Sequence, residues 1–257
     1  MISKAEGIVF RSIKYGEADL IVSFFTFEDG IIDFFVKSPR KIKSRYGSAF
    51  EPCTYSKIEY WKKEGHQLPR LIRSDIVYPF QKLRENFDHF LKSSELFEMT
   101  LNLVPPRLPQ KELFYMLIDT MKSLENSTIM LKKALFYKAK LLTASGYVPR
   151  LSGCAICGKE GRAFFFHEGA VVCPICKEKI AKEALTPKLY LSYGAIKLFE
   201  KARVWDWKKL DRLVPSMGLL NEIDNMIDLH IKFQTEKNNK TKAFIKRMGY
   251  LIHETTG

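Results

Sequence analysis

The sequence predicts an α+β protein, with a small antiparallel β-barrel at its N-terminus and a mainly helical region after it. The first eighty residues contain short apolar, β-branched stretches, and large and polar residues alternate with a period of two at Tyr55–Trp61. Beyond Pro79 the apolar residues recur with a helical period. Apolar residues make up 46% of the 257 residues, enough to form a packed core. We therefore predict a barrel domain at residues 1–79 and a helical domain at residues 80–257.

Five stretches of the first region have the composition of strands: 5–13, 18–27, 31–36, 55–61 and 68–77. Glu28-Asp29-Gly30 joins the second to the third and is typical of a tight hairpin turn. Five short strands joined by hairpins favour a five-stranded OB-type barrel, with an SH3-like barrel or a small open sheet as alternatives.

Helical spacing of apolar residues then predicts a series of helices, whose apolar faces we interpret as core. The first begins near Leu83 and stops at Val104-Pro105-Pro106, because proline breaks helices. Further helices are predicted at 113–124, at 219–233 and at 241–251, and another begins at 195. A helix with apolar positions from 131 to 142 is predicted to end at Gly146. We place His230 on an apolar helix face, as a core residue.

Four of the five cysteines form two Cys-x-x-Cys pairs with fifteen residues between them: Cys154, Cys157, Cys173 and Cys176. This spacing predicts one zinc ion bound by four thiolates, in a segment at about 150–178. Four protein ligands leave no open position, so the predicted site is structural. The alternatives are a redox dithiol, which needs a βαβ unit, and an iron–sulfur cluster, which usually has another spacing. His167 is a nearby alternative ligand, and Cys53 stands alone.

A formal net charge of +13 favours a polyanionic partner, because Lys and Arg displace counterions from phosphates. The candidate nucleic-acid contacts are Arg11 and Lys14 in the first strand, Lys37, Arg40, Lys41, Lys43 and Arg45 between the third and fourth strands, and Lys242, Lys246 and Arg247 near the last helix. Tyr15 and Tyr46 are available for stacking on bases. A solvated loop and a solvated helix face are the alternative interpretations.

No catalytic constellation is evident, and we expect a protein that is not an enzyme. None of the five histidines lies in a recognised hydrolase or metalloprotease motif. Gly153–Lys159 begins like a phosphate-binding loop, but Glu160 stands where that motif needs Ser or Thr. No signal core opens the chain and no apolar run approaches the length of a membrane span. We therefore expect a cytoplasmic protein.

Several motifs in a fixed order resemble the RecO family of bacterial DNA-repair proteins. Glu6-Gly7-Ile8-Val9-Phe10-Arg11 is followed by Tyr15-Gly16-Glu17-Ala18-Asp19. Gly146-Tyr147-Val148-Pro149 precedes Cys154-x-x-Cys157-Gly158, Gly169 and Cys173-x-x-Cys176. The resemblance is strong in residues 5–36 and 145–177. Lys37-Ser38-Pro39-Arg40 departs from the family, where a Gly-Ala-type turn is common.

The resemblance implies an N-terminal OB-fold and a helical domain that carries a zinc module. It implies a nucleoid-associated recombination mediator that binds single- and double-stranded DNA and anneals complementary strands. It also implies binding to RecR and to single-strand-binding protein, and help in loading RecA onto coated single strands. The alternative functions are a zinc-ribbon transcription or RNA-binding factor, a metal-dependent nuclease, and a purely structural interaction protein.

Overall fold

The computed structural model describes residues 1–39, 48–62, 68–126, 130–160, 163–180, 189–236 and 239–254. The chain forms two compact units, Met1–Thr128 and Ile129–Gly257. No helix among the described residues is both long enough and apolar enough to cross a membrane.

The first unit contains the predicted barrel. Its strands are β1 (Ile2–Tyr15), β2 (Asp19–Thr26), β3 (Gly30–Val36), β4 (Tyr55–Trp61) and β5 (Arg70–Tyr78). They close in the order β1-β2-β3-β5-β4, with every neighbouring pair antiparallel except β3 and β5. The prediction of a five-stranded OB-type barrel is confirmed, and closure leaves no unpaired sheet edge.

The barrel interior is filled by aromatic and branched side chains. Phe24, Phe34 and Tyr60 are almost fully buried, and the rings of Phe34 and Tyr60 meet edge to face at 4.9 Å between centroids. Each side chain of this size contributes about 1.5–3 kcal/mol by leaving water. The Tyr60 hydroxyl donates a hydrogen bond to Asp29 in the β2–β3 turn, which ties that turn to β4.

A bulge at Phe10 changes which residues of β1 face outward. The pairing of β1 with β2 shifts between Val9, opposite Phe24, and Arg11, opposite Ser23. Because a bulge adds one residue to one strand, Val9 is buried and Arg11 is exposed although they are two residues apart. Phe10 itself stacks on Phe97, with ring centroids 4.5 Å apart.

Three helices complete the first unit: α1 (Gln81–Glu85), α2 (Phe87–Leu103) and α3 (Lys111–Glu125). The single helix predicted from Leu83 is wrong, because Asn86 takes an extended conformation and separates α1 from α2. Its side chain accepts a hydrogen bond from the backbone N–H of His89, 3.1 Å away, and so caps α2.

The connection between α2 and α3 is fixed to the start of β3. Pro106 forms a β-bridge with Ile31, and the Arg107 N–H donates to the Ile31 carbonyl at 3.0 Å. Gly30 has φ +69°, and a Cβ there would lie 2.2 Å from the Leu108 carbonyl oxygen. Only glycine therefore allows this close approach of two backbones.

The second unit packs helices around a small sheet. Its elements are α4 (Met130–Ala144), β6 (Ala163–His167), β7 (Ala170–Val172), α5 (Pro174–Ile180), β8 (Leu189–Ser192), α6 (Tyr193–Val204), α7 (Trp207–Asp211), α8 (Met217–Thr235) and α9 (Lys240–Glu254). The helices α4, α6 and α8 pack on one another, and the strands lie in the order β7-β6-β8. The sequence patterns did not predict α5, α7 or β8.

A buried ion-pair network joins three helices of this unit. Asp224 on α8 accepts hydrogen bonds from Lys138 on α4, at 2.8 Å, and from Lys242 on α9. Lys242 also pairs with Asp228, one turn further along α8. The side chain of Lys138 is 1% exposed, so its charge depends on this network.

The compact units divide the chain differently from the predicted domains. Helices α1 to α3 belong to the unit that contains the barrel, whereas the predicted boundary lies at residue 79. As a division between two functional domains, 1–79 and 80–257 remain predictions.

Candidate metal centre and nucleic-acid interface

The first cysteine pair lies in a turn shaped by backbone hydrogen bonds. The Gly158 N–H donates to the Cys154 carbonyl at 2.9 Å, and the Cys154 N–H donates to the Lys159 carbonyl at 3.0 Å. Gly158 has φ +71°, a conformation that side chains disfavour. The Ala155 N–H donates to Val171 at 2.8 Å and holds this turn on β7.

The second cysteine pair follows β7 directly. Cys173 is the residue before α5, and Cys176 lies in the first turn of that helix. The Cys176 N–H points to the Cys173 sulfur at 3.5 Å. Backbone N–H groups directed at sulfur favour the thiolate form that a metal requires.

The four sulfurs lie within 4.8 Å of one another and could hold a metal ion. The Sγ atoms of Cys157 and Cys173 are 3.8 Å apart. A tetrahedral zinc site with zinc–sulfur bonds of about 2.3 Å has edges of about 3.8 Å. A disulfide would need sulfurs about 2.05 Å apart, and all five cysteines are free thiols. Among the described residues, this cluster consists of the four cysteines, and His167 lies outside it.

The pKa values of the cysteine thiols are also consistent with a bound cation. Burial opposes ionisation of Cys154, but N–H groups of Cys173 and Cys157 outweigh it and lower the pKa of this thiol to about 6. Burial, together with the neighbouring sulfurs, raises the pKa of Cys176 to about 12. One thiolate forms easily and the last is strongly opposed, so a positive ion among the sulfurs would favour ionisation of all four.

His230 joins α8 to the cysteine segment, as a core residue. It is 1% exposed, and its Nε2 lies 2.7 Å from the Tyr147 carbonyl, to which the Nε2–H tautomer donates. Burial lowers the pKa of His230, which favours the neutral ring. Its Cε1 would lie 3.2 Å from a Cβ at Gly169, so the β6–β7 turn packs closely on this ring. The prediction that His230 is a core residue is confirmed.

The outer face of β1, β2 and β3 carries an exposed apolar row. Directly opposed residues share a face, and the pairing aligns Ile13, Ile21, Phe35 and, across the parallel pair, Arg70. Ile13 is 48% exposed, and Phe35 and Ile21 are partly exposed. Tyr15 lies at the end of this row, 55% exposed, with its ring at 5.9 Å and perpendicular to that of Phe35.

Three of the predicted DNA-contacting residues lie close to this row. Arg11 shares its face and Lys37 follows β3 directly, whereas Lys14 is opposite Leu20 and therefore lies on the other side of β1 from Ile13. Arg11 is exposed, but its Nε donates to Ser23 at 2.9 Å and its guanidinium lies 4.0 Å from Asp33. Lys14 and Lys37 are exposed, and neither has a carboxylate partner among the described residues. Arg70 completes the border and was not predicted, because the parallel pairing of β3 with β5 leaves no local signal in the sequence.

The remaining predicted contacts have different outcomes. Arg40, Lys41, Lys43 and Arg45 lie outside the described residues, as does Tyr46, and the side chain of Lys246 is not described either. Arg247 is exposed on α9. The Lys242 ammonium lies between Asp224 and Asp228 and its side chain is 14% exposed. Because its charge is paired within this network, we do not include Lys242 in the proposed interface.

Comparison with known proteins identifies the family. The family model "Recombination protein O N terminal" matches residues 1–80, and "Recombination protein O C terminal" matches residues 84–243. The chain is 38% identical to a DNA repair protein RecO of Thermodesulfovibrio yellowstonii, covering 92% of this chain and 94% of that protein. It is 26% identical to a DNA repair protein RecO of Syntrophus aciditrophicus, covering 96% and 97%. A DNA repair protein RecO of Dehalococcoides mccartyi is 27% identical, with 94% of each chain covered. The chain therefore belongs to the RecO family of DNA repair proteins.

Proposed function

We propose that the protein is a recombination mediator without enzymatic turnover, which binds single- and double-stranded DNA and promotes annealing of complementary strands. The observation that carries the proposal is the outer face of β1 to β3, where an exposed apolar row is bordered by cations. Stacking on aromatic rings together with contacts to phosphates is the usual way in which barrels bind single strands without sequence preference.

The proposed mechanism is electrostatic. Lys14 and Lys37 would neutralise phosphates, and Tyr15 would stack on a base, a contact worth about 1–3 kcal/mol. Reducing the charge of two strands lowers their mutual repulsion, so that complementary bases can pair. Asp33 offsets part of the charge of Arg11, so we assign the strongest phosphate contacts to the two lysines.

We further propose that the metal of the cysteine cluster is one structural zinc ion. Zinc would crosslink the Cys154–Lys159 turn to the start of α5, and with four protein ligands it would leave no position for water or substrate. The residues support this by their free thiols, the 3.8 Å sulfur–sulfur distance and the N–H groups directed at sulfur.

The proposed partners are single-strand-binding protein, RecR and, functionally, RecA. Membership of a DNA repair family supports them. In this proposal the protein acts at the nucleoid, contacts the coating protein on gapped DNA and helps the recombinase to replace it. The domain division at residue 79 would separate DNA binding from partner binding.

The test is annealing of two complementary oligonucleotides, each coated with the cognate single-strand-binding protein, in the absence of ATP. We expect acceleration by the wild type and a loss of acceleration in the double variant Lys14→Glu/Lys37→Glu. The matched control is Lys4→Glu/Lys57→Glu, which reverses the same number of charges at two exposed lysines that pair with Glu59 and Glu6 outside the proposed face.

Acceleration only on naked strands would contradict the mediator function and leave a general DNA-binding protein. No acceleration on either substrate by folded protein would contradict DNA annealing altogether. A marked preference for RNA or for one sequence would instead favour a zinc-ribbon transcription or RNA-binding factor.

A further inference from the structure

We propose that a pocket beside the proposed DNA-binding face accepts one unstacked nucleotide of single-stranded DNA. The pocket has a volume of about 360 Å³ and lies within the first unit, between the start of β3 and the connection from α2 to α3. Its lining combines apolar side chains with two arginines, one carboxylate and one amide; the residues used below are Arg11, Ile31, Asp33, Leu101, Asn102 and Arg107. The inference rests on the proposed function, since it specifies how DNA is held there.

The pocket is continuous with the strand face. Arg11 and Asp33 lie in one row across β1, β2 and β3, directly beside the row of Ile13, Ile21 and Phe35. A DNA strand whose bases stack on Tyr15 and Phe35 would therefore reach Arg11 within one or two nucleotides. The pocket, which Arg11 lines, would receive the next base of this strand.

Arg107 is held in place by its backbone. It has φ +58°, a left-handed conformation that is uncommon for a residue with a side chain. The hydrogen bond from its N–H to Ile31 and the close approach of Leu108 to Gly30 fix this conformation. Its exposed guanidinium has no carboxylate partner among the described residues.

The chemistry of the lining matches a base with its phosphate. Ile31 and Leu101 offer an apolar surface to a base, and Asp33 and Asn102 offer an acceptor and an amide to its polar edge. Arg107, together with Arg11 in the same lining, would bind the phosphate, for which the planar guanidinium is well suited. A volume of about 360 Å³ is near the lower end of ordinary small-molecule pockets, enough for one nucleotide. A base paired in a duplex cannot enter.

The test compares the affinity of the whole protein for a fluorescein-labelled ten-nucleotide thymidine strand and for a duplex of the same length, by fluorescence anisotropy. Arg107→Ala removes the proposed phosphate contact, and Asn102→Trp fills the pocket without changing its charge. Arg73→Ala is the matched control, because Arg73 is an exposed arginine of the same unit that pairs with Asp75 outside the pocket. Thermal unfolding checks that each variant is folded.

We expect both pocket variants to weaken single-strand binding by about tenfold and duplex binding by less than about threefold, and the control to leave both unchanged. An equal loss for the two substrates would overturn the pocket and reduce Arg107 to a general phosphate contact. Unchanged single-strand affinity in both variants would overturn the pocket while DNA binding stands. If the wild type binds neither substrate, the proposed function fails first and the pocket with it.

Discussion

Replacing Asp224 by asparagine should strongly destabilise the second unit. The substitution keeps the size of the side chain but removes the charge that lies 2.8 Å from the Lys138 ammonium. At an effective dielectric constant of about 20, two unit charges at that distance attract each other by roughly 6 kcal/mol. The asparagine oxygen can still accept one hydrogen bond, so part of this is retained. We expect a net loss of about 3–5 kcal/mol, as is usual when one partner of a buried pair is removed.

Urea unfolding followed by circular dichroism measures this loss, and Asp228→Asn is the matched control on the same helix. Burial raises the pKa of Asp228, and in the control variant Lys242 still forms its ion pair with Asp224. The control should therefore lose only about 1 kcal/mol of unfolding free energy. A thermal midpoint lower by roughly 6–20 °C in Asp224→Asn should accompany the larger loss. Equal effects of the two substitutions would refute the view that Asp224 is the central anion of this network.

The same network predicts a dependence of stability on pH. Burial opposes ionisation of Asp224, but Lys138 and Lys242 outweigh it and hold its pKa well below the ordinary range. A carboxyl group whose pKa is lower in the folded state stabilises the fold above its unfolded pKa of about 3.9, and this contribution is lost as the pH falls towards the folded pKa. Asp224→Asn should therefore show a smaller loss of stability than the wild type between pH 5 and about 2.

Three further predictions concern the metal and the packing. Cys173→Ser should abolish retention of zinc, measured by elemental mass spectrometry after gel filtration, whereas Cys53→Ser, also at a buried thiol, should retain it; retention in both would contradict the site. Gly30→Ala should cost at least about 2 kcal/mol in urea unfolding, because φ is +69° and the new Cβ meets the Leu108 carbonyl at 2.2 Å; a neutral effect would show that the connection moves freely. Burial lowers the pKa of His230, so the wild type should lose stability as the pH falls below the unfolded pKa of about 6.5. Thermal melts at pH 7 and 5.5 should show a smaller loss of stability for His230→Gln than for the wild type. The same loss in both proteins would contradict a buried neutral ring.

The barrel and the cysteine cluster could be predicted because their signals are local. Strand alternation and hairpin turns are set by neighbouring residues, and two Cys-x-x-Cys pairs specify their own geometry. The sequence also contained an overlooked signal at Asn86, a good helix cap, where the apolar period alone suggested one continuous helix.

The features that could not be predicted depend on contacts distant in sequence. The sequence suggested an exposed cation at Lys242, because no residue near it in sequence indicates the ion pairs with Asp224 and Asp228 of another helix. The outward direction of Arg11 depends on the bulge at Phe10, which only the pairing with β2 reveals. The pocket at Arg107 exists because the connection from α2 to α3 pairs with β3, more than seventy residues earlier, a contact that periodicity does not encode.

The Lys138–Asp224 pair imposes an order on folding during synthesis. The two residues are 86 positions apart, so at about 5–20 residues per second Lys138 is made roughly 4–17 s before Asp224. Burying the ammonium before that carboxylate exists would cost several kcal/mol, so α4 cannot complete its packing during this interval. The described residues of the barrel core all lie between Ala5 and Leu71, so the barrel strands can pair as they leave the ribosome. The nascent chain would therefore display the proposed DNA-binding face seconds before the unit that carries the cysteine cluster becomes native.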